Sequence, residues 1–263
     1  VAVGPFAVER HPVTNAQFAA FVAETGYRTV AEEAPDAALY PGAAPEDLVP
    51  GALVFCSTGG PVDLRDWRQW WQWTPGADWR HPFGPGSSVA DRSDHPVVQV
   101  CFADATASAR WAGRRLPTEA EWEFAARGGS TTIYPWGDEP VPDGQLMANT
   151  WQGSFPYRND GALGFPGTSP VGTFAPNGYG LVDMIGNVWE WTTTRFVGHH
   201  QVGGPAQACC APAAPDPSVS QALKGGSHLC APEYCHRYRP SARSPQSQDS
   251  ATTHIGFRCV ADV

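Results

Sequence analysis

Charged side chains are scarce in this sequence, and basic ones are scarcer than acidic ones. Lys, Arg, Asp and Glu make up 16% of the 263 residues, and 17 basic against 26 acidic side chains leave a net charge of -9. Proteins that bind DNA or RNA need clustered Lys and Arg to neutralise phosphates, and anionic membrane surfaces select the same residues. We therefore expect neither a nucleic acid nor a membrane as a partner.

Long hydrophobic runs and an even set of cysteines are also missing. The sequence has no run of about 18 apolar residues, the length that a membrane-spanning helix needs. The first residues do not have the pattern of a signal peptide. Seven cysteines are an odd number, and in a chain of this length they do not indicate a disulfide framework. These features predict a cytoplasmic protein without a membrane span, and we expect a monomer.

Glycine, proline and tryptophan, by contrast, are abundant. The sequence has 28 Gly, 26 Pro and 11 Trp. Glycine and proline interrupt regular elements, so we expect many turns, short strands and little helix. Large aromatic side chains suit an irregular core. No internal repeat and no clean domain boundary are visible, and we predict a single domain over residues 1–263.

Capping patterns predict three helices. Thr14 with Gln17, and Thr118 with Glu121, have the spacing of a capping box, in which each side chain bonds the backbone N–H of the other residue. A third, short helix is predicted between them, with Asp104 as its N-cap.

The segments between and after the helices have three further interpretations. Residues 95–102 have the pattern of a strand. Residues 66–88 contain five tryptophans, and this segment is either a loop held down by aromatic side chains or a wall of a peptide-binding groove. Residues 203–220, rich in Gly, Pro and Ala, predict a mobile surface loop.

Two cysteines near the end of the chain are the strongest candidates for chemistry. Cys230 and Cys235 flank a turn that contains Pro232, and this turn could fold one thiol back toward the other. If the chain continues as a strand, Cys235 shares a face with Arg237 and Arg239, whose charges favour the thiolate. The spacing alone leaves free thiols, a reversible disulfide and a soft metal such as Cu(I) open.

A zinc site at the same place is the least favoured alternative. It would combine the two thiols with the neighbouring imidazoles of His228 and His236. These four positions are too closely spaced for the paired knuckles of structural zinc sites.

Residues 183–190 are a candidate site for a hard cation. Two carboxylates, Asp183 and Glu190, flank a glycine turn, and the carbonyl groups of Gly186 and Val188 lie between them. Calcium sites combine carboxylates and carbonyls in this way. A solvated turn with two acidic residues is the alternative.

Four segments together resemble a known family. They are "RLPTEAEWEFAARGG", "NTWQGSFPYRNDG", "NGYGLVDMIGNVWEWT" and the cysteine-containing "GGSHLCAPEYCHRYRP", which has the pattern GGS-x2-C-x4-C-x-RYR. The sequence is similar to bacterial-type formylglycine-generating enzymes, also called sulfatase-modifying factors. The resemblance implies an α+β, single-domain fold related to C-type lectins, with little regular secondary structure.

The resemblance also implies an activity. It implies a copper-dependent oxidase that uses O2 to convert the cysteine of a C-x-P-x-R segment in an unfolded sulfatase into Cα-formylglycine. Cu(I) would be bound by Cys230 and Cys235, and the oxygen pocket of the family falls on Ser227 and Trp189. Substrate-binding positions fall on two further residues, Arg237 and His254, the second of which replaces a family asparagine.

Two structural calcium sites follow from the same resemblance. The first corresponds to the glycine turn described above, with Asp183, Gly186, Val188 and Glu190 as ligands. The second corresponds to Asn149, Thr150 and Phe165. Leu163 occupies the position of an acidic ligand in this second site and cannot bind a cation, so Asp160 would have to substitute for it.

Two other classes within the same fold are the competing predictions. An iron-dependent sulfoxide synthase needs an iron-binding set of histidines, and a non-catalytic binding module would have lost the two thiols. Secreted animal members pair cysteines at positions that are Ala109 and Ala126 here, so that Cys259 lacks its partner. This difference agrees with a cytoplasmic protein.

Overall fold

The computed structural model describes residues 1–44, 46, 48–198 and 218–263. The surface loop predicted over residues 203–220 falls almost wholly outside this part of the chain, and so do Cys209 and Cys210. Within the described residues, no helix is long and apolar enough to cross a membrane.

Three short helices carry the capping signals seen in the sequence. Helix α1 (Asn15–Thr25) and helix α3 (Glu119–Arg127) each begin with the predicted capping box, formed by Thr14 and by Thr118, and each ends at a glycine in the left-handed conformation. Helix α2 (Phe102–Trp111) is capped by Cys101, and Asp104 lies three residues further on. The prediction of Asp104 as N-cap was therefore wrong, although its carboxylate accepts the Cys101 N–H at 2.8 Å.

In the part of the chain that the structure describes, the strands form one four-stranded sheet and three small antiparallel pairs. The pairs are β1 (Phe6–Val8) with β10 (Val260–Asp262), β2 (Gly51–Phe55) with β3 (Trp71–Pro75), and β4 (Gly153–Ser154) with β5 (Arg158–Asn159). The larger sheet has the order β8-β7-β6-β9, with bounds Arg243–Ser247, Ser220–Lys224, Trp189–Arg195 and Ile255–Gly256. Strands β6 and β9 are parallel, and the other neighbours are antiparallel.

Two predicted segments differ from the structure. Residues 95–102 do not form a strand, because Gln99 has φ 59° and the backbone N–H groups of Val97 and Gln99 bond two separate segments. The tryptophan-rich segment is not simply a loop, since it contains strand β3. Trp70 in the same segment is fully buried.

A buried ion pair lies at the centre of the main core. Both carboxylate oxygens of Glu190, on β6, accept hydrogen bonds of 2.7 Å from the guanidinium of Arg258, and both side chains are buried. The indole N–H of Trp122, on α3, donates to the same carboxylate at 2.7 Å. Arg258 also donates to the carbonyl groups of Val182 and Asp183. This network joins α3, the four-stranded sheet and the last strand-forming segment of the chain. It stabilises the region from which the thiol loop, residues 225–235, begins.

Candidate active site

Two glycines connect the end of β7 to the thiol loop, which contains Cys230 and Cys235. Gly225 and Gly226 both have positive φ, 95° and 75°. A Cβ at Gly225 would lie 3.0 Å from the ring of Trp122, and a Cβ at Gly226 would lie 2.8 Å from the Cα of Tyr238. Only glycine combines this backbone conformation with this close packing. The turn therefore fixes where the following residues lie.

The turn after Cys230 brings the two sulfur atoms together. The N–H of Cys235 donates to the carbonyl of Ala231 at 2.7 Å, which closes the turn around Pro232. The sulfur atoms of Cys230 and Cys235 are 3.0 Å apart, both side chains are buried, and both are free thiols. The expectation that this turn folds one cysteine back onto the other is confirmed.

The two sulfur atoms differ in their ionisation. The hydrogen bond from Cys230, together with the charge of Arg237, lowers the pKa of Cys235. Burial, followed by the hydrogen bond to Cys235, raises the pKa of Cys230 well above its ordinary value. The hydrogen bond from Cys230 and the charge of Arg237 therefore favour a thiolate on Cys235 over one on Cys230.

The sequence suggested a strand that would place Arg237 and Arg239 on the same face as Cys235, but the structure has no strand there. Residues 235–239 form no regular element. Arg237 reaches the thiolate and donates to the hydroxyl of Ser244 at 2.9 Å. Arg239 turns away and donates to the carbonyl of His236. The prediction of a shared strand face was wrong, and only Arg237 of the two arginines acts on the thiol pair.

The other two predicted catalytic residues surround the pair. Ser227 is fully buried, and its backbone N–H donates to the sulfur of Cys230 at 3.4 Å. Trp189 is buried at the start of β6, and the guanidinium of Arg237 lies 5.9 Å from its ring centre. The structure thus brings together the thiols, Ser227, Trp189 and Arg237.

His254 also lies near this site, and its imidazole side chain is neutral. Its Nδ1 lies 2.7 Å from the hydroxyl of Thr252, and its ring centre is 4.8 Å from that of Trp71. Burial, followed by the charges of His228 and Arg237, lowers the pKa of His254 to about 3. Its carbonyl group accepts the N–H of Trp189, which ties it to the site.

The two histidines of the zinc alternative do not converge on the thiols. The Nδ1 of His228 lies 2.8 Å from the carbonyl of Asn187, and the Nε2 of His236 lies 2.9 Å from the hydroxyl of Tyr134. In the described part of the chain, no group of three or more His, Cys, Asp and Glu side chains could hold a metal ion. The structure therefore gives no support to a four-ligand zinc site.

An aromatic clamp on the thiol loop was not predicted. The ring of Tyr234 stacks on that of Phe155 at 4.5 Å and 5°, and it meets Trp70 edge-on at 5.3 Å. Glu233 accepts the backbone N–H of Phe155 at 3.0 Å. These contacts join segments that are far apart in the sequence, and the only local signal was a tyrosine next to Cys235.

The first predicted calcium site contains two buried carboxylates and one guanidinium. Asp183 accepts the N–H of Gly172 at 2.7 Å, whereas Glu190 is engaged by Arg258 and Trp122. Burial raises the pKa of Asp183 to about 6, and the charge of Glu190 adds to the effect. Arg258 and Trp122 engage both oxygens of Glu190, so Asp183 leaves an excess of negative charge at this place.

The second predicted calcium site contains an unpartnered oxygen. The Oδ1 of Asn149 is buried without a hydrogen-bond partner in the described structure, while its Nδ2 donates to the carbonyl of Gly167 at 2.9 Å. The carbonyl of Thr150 accepts from Gln152. Leu163 is exposed, and so is the carboxylate of Asp160, which lies 3.8 Å from Arg158. The unpartnered oxygen fits a cation ligand, but an acidic ligand from Asp160 is not in place.

Comparison with known proteins identifies relatives over the whole chain. The family described as Sulfatase-modifying factor enzyme 1-like domain matches residues 1–263. A protein of Mycobacterium tuberculosis named Formylglycine-generating enzyme is 73% identical over 266 residues, which cover 100% of this chain and 89% of that protein. A mouse protein named Inactive C-alpha-formylglycine-generating enzyme 2 is 40% identical, over 99% of this chain and 76% of its own length.

A solved structure supports the same fold. The structure of PvdO from Pseudomonas aeruginosa superposes with a TM-score of 0.59 at 25% identity, covering 98% of this chain and 81% of that one. With its few short helices and small sheets, the chain has the predicted α+β fold with little regular secondary structure.

Proposed function

The chain belongs to the sulfatase-modifying factor enzyme family, and from this premise we propose that it is a copper-dependent oxidase acting on sulfatases. It converts the cysteine of a C-x-P-x-R segment in an unfolded sulfatase into Cα-formylglycine and uses O2 as the oxidant. The observation that carries the proposal is the pair of buried sulfur atoms 3.0 Å apart.

The donor set fits a soft metal ion. Two sulfur atoms converge in a buried place, and soft sulfur ligands favour soft ions such as Cu(I). Zinc, which sulfur also binds, usually takes four ligands, and the described residues supply no such set here. Cys230 and Cys235 would hold the ion, which when bound supplies the activation of O2. Metal binding requires deprotonated thiols. The hydrogen bond from Cys230 and the charge of Arg237 favour the thiolate of Cys235, whereas burial disfavours the thiolate of Cys230.

The chain's own residues shape the surroundings of the reaction. Ser227 directs a backbone N–H at Cys230 and keeps its sulfur in place. Trp189 is buried in the same apolar cluster as the two cysteines, and it adds a large apolar ring to their surroundings. The neutral His254 and the guanidinium of Arg237 form the side from which a substrate peptide would enter. The arrangement suits a peptide thiol that arrives beside two protein sulfurs.

Calcium has a structural part in this proposal. The negative charge around Asp183 and the unpartnered oxygen of Asn149 each support the binding of one cation. We also propose that the protein acts as a monomer in the cytoplasm, because a reducing compartment keeps the two thiols available for metal.

Two competing functions are weaker for specific reasons. Family membership alone does not decide activity, since a relative of 40% identity is named inactive. The converged thiols favour a catalyst over a binding module. An iron-dependent function is less favoured, because His228 and His236 bond elsewhere in the described structure.

The proposal is tested with a synthetic peptide that contains C-x-P-x-R, incubated with the protein, Cu(I) and air. Mass spectrometry should show that the cysteine loses its sulfur and gains an aldehyde. Cys230→Ser and Cys235→Ser should each abolish turnover, whereas Cys56→Ser, which removes a thiol away from the pair, is the matched control. An unchanged peptide after copper loading, or normal turnover by either site variant, would overturn the proposal.

A further inference from the structure

The outer edge of β3 presents free backbone groups. The N–H of Cys56 bonds the carbonyl of Trp70, so alternate residues of β3, Gln72 and Thr74, face β2 in the ladder. The backbone groups of Trp71 and Trp73 therefore point away from β2. Within the described residues, none of these four N–H and C=O groups has a hydrogen-bond partner.

The opposite edge of the same hairpin is closed. The N–H of Leu53 donates to the carbonyl of Ala251 at 3.1 Å, and the N–H of Phe55 donates to the hydroxyl of Thr253 at 3.3 Å. The hairpin is thus attached to the protein through β2, and no described residue bonds the outer backbone groups of Trp71 and Trp73 in β3. An added strand could pair only with β3.

The open edge has little of the usual protection. Proteins commonly block exposed strand edges with charged side chains, proline, bulges or a covering segment. Strand β3 has the sequence WQWTP, which contains no charged residue, and it pairs with β2 in unbroken register. Its proline, Pro75, is the last residue of the strand and leaves the N–H groups of Trp71 and Trp73 in place. Trp73 remains 44% exposed. The part of the edge formed by Trp71 and Trp73 is a template for an extended chain.

The edge is continuous with the candidate active site. The ring of Trp71 contacts His254, whose carbonyl accepts the N–H of Trp189 beside the thiols. A second connection runs through aromatic rings, since Phe55 contacts both Trp71 and Phe155, and Phe155 stacks on Tyr234 next to Cys235. A peptide whose cysteine lies at the thiols has this edge beside it.

We propose that the outer edge of β3 is a docking strand, on which the substrate polypeptide flanking the reactive cysteine pairs as an additional β-strand. The inference rests on the proposed function for the identity of the polypeptide, which is unfolded and therefore has its own backbone groups free. Main-chain pairing of this type gives affinity without demanding a particular sequence. Trp71 and Trp73 supply the N–H and C=O groups for this pairing.

Hydrogen exchange tests the pairing directly. The probe is a synthetic C-x-P-x-R peptide with flanking residues on both sides and serine in place of the reactive cysteine, so that it binds without reacting. Exchange of the backbone amides of Trp71 and Trp73, followed by NMR, should slow about tenfold or more when the peptide is bound. The amides of Gln72 and Thr74, already bonded to β2, serve as internal controls and should not change.

A pair of substitutions at Trp73 separates the backbone from the ring. Trp73→Pro removes the outward N–H without removing a ladder bond to β2, whereas Trp73→Val keeps the N–H and removes the ring. With a cysteine-containing peptide, the proline variant should lose the advantage in kcat/KM of a flanked peptide over the bare motif. The valine variant should keep most of that advantage. Equal losses in both variants would overturn backbone pairing.

The remaining outcomes separate this inference from the proposed function. Turnover of the flanked peptide without protection of Trp71 and Trp73 overturns the docking strand and leaves the oxidase standing. Protection without turnover supports the docking strand and contradicts the oxidase. Protection that appears without peptide as the protein concentration rises would assign the edge to a second copy of this chain and overturn the proposal.

Discussion

At the level of single residues, the charge of the thiol pair depends on Arg237. Its guanidinium and the hydrogen bond from Cys230 both favour the thiolate of Cys235. A thiol whose pKa is lowered is charged at a lower pH than an ordinary cysteine, and it reacts and binds metal there. The sequence already pointed to Arg237 and Arg239, but the fold directs only Arg237 toward sulfur.

We predict that Arg237→Met raises the pKa of Cys235, because the positive charge beside the thiolate is lost. The pH at which iodoacetamide alkylates half-maximally should move upward, and a thiol whose pKa is higher by about 1 has about a tenfold smaller thiolate fraction at low pH. Arg239→Met is the matched control, since its guanidinium bonds the carbonyl of His236. Equal alkylation profiles in the two variants would contradict the assignment.

A second residue-scale prediction concerns the unpartnered oxygen of Asn149. If a cation binds it, calcium should raise the Tm of the wild type by more than that of Asn149→Ala, which lacks the oxygen. Asn149→Asp adds a buried negative charge, so it should be less stable without calcium and gain more from it. The measurement is thermal unfolding with calcium and with chelator. The same calcium increment in all three proteins would exclude a cation at Asn149.

At the level of elements, a buried carboxylate supports the start of α2. Asp104 is fully buried and accepts the N–H of Cys101, the N–H of Val30 and the hydroxyl of Tyr27. Burial raises the pKa of Asp104 to about 6, although these hydrogen bonds oppose the effect. The residue therefore joins α2 to the segment after α1 at the cost of burying a charge above that pH.

We predict a pH-dependent effect of Asp104→Asn. The folded carboxyl binds its proton more tightly than the unfolded one, so it adds stability at low pH that is lost as the pH rises from about 4 to about 6. The free energy of unfolding of the wild type should fall relative to the variant over this range, by roughly 2–3 kcal/mol. Asp36→Asn, an exposed cap, is the control. A constant difference between wild type and variant across this range would contradict the prediction.

The elements also show what the sequence could predict. The capping boxes formed by Thr14 and Thr118 could be predicted from the sequence, because a helix cap depends only on residues close together in the chain. Asp104 was placed as the cap itself because its carboxylate would also suit that position, and only the backbone distinguishes it from Cys101. The strand expected at residues 95–102 failed at Gln99, which has a positive φ and whose buried side chain bonds the carbonyl groups of Leu53 and Pro82.

In the candidate active site, likewise, local features could be predicted from the sequence and long-range contacts could not. The convergence of Cys230 and Cys235 could be predicted because a short turn joins them. The clamp of Phe155 on Tyr234 could not, because a pairing of residues 79 positions apart depends on how the whole chain folds. Strand β3 was hidden for the same reason, since β2 lies on the far side of a long connection.

At the level of the whole molecule, the ion pair of Glu190 and Arg258 joins the two ends of the chain. Arg258 bonds Glu190 and also reaches the carbonyl groups of Glu9 and Arg10, near the N-terminus. Both charged side chains are buried, so each depends on the other for neutralisation. Stability of the whole fold should therefore respond to a change at this one place.

We predict that Arg258→Met lowers the free energy of unfolding by roughly 3–5 kcal/mol, because it leaves the charge of Glu190 buried without a partner. Adding Glu190→Gln should restore part of the loss, since the neutral amide can still accept the indole N–H of Trp122. Chemical unfolding of the two variants measures both effects. A double variant less stable than the single one would show that the charge of Glu190 is not what destabilises Arg258→Met.

Trp122 contacts both the buried Glu190–Arg258 ion pair and the glycine turn that precedes the two cysteines. Its nitrogen holds the carboxylate of Glu190, and the far side of its ring fills the space that Gly225 leaves open. An alanine at Gly225 would push this ring and strain the bond to Glu190, so a single added methyl group would disturb both the centre of the molecule and the approach to the sulfur atoms.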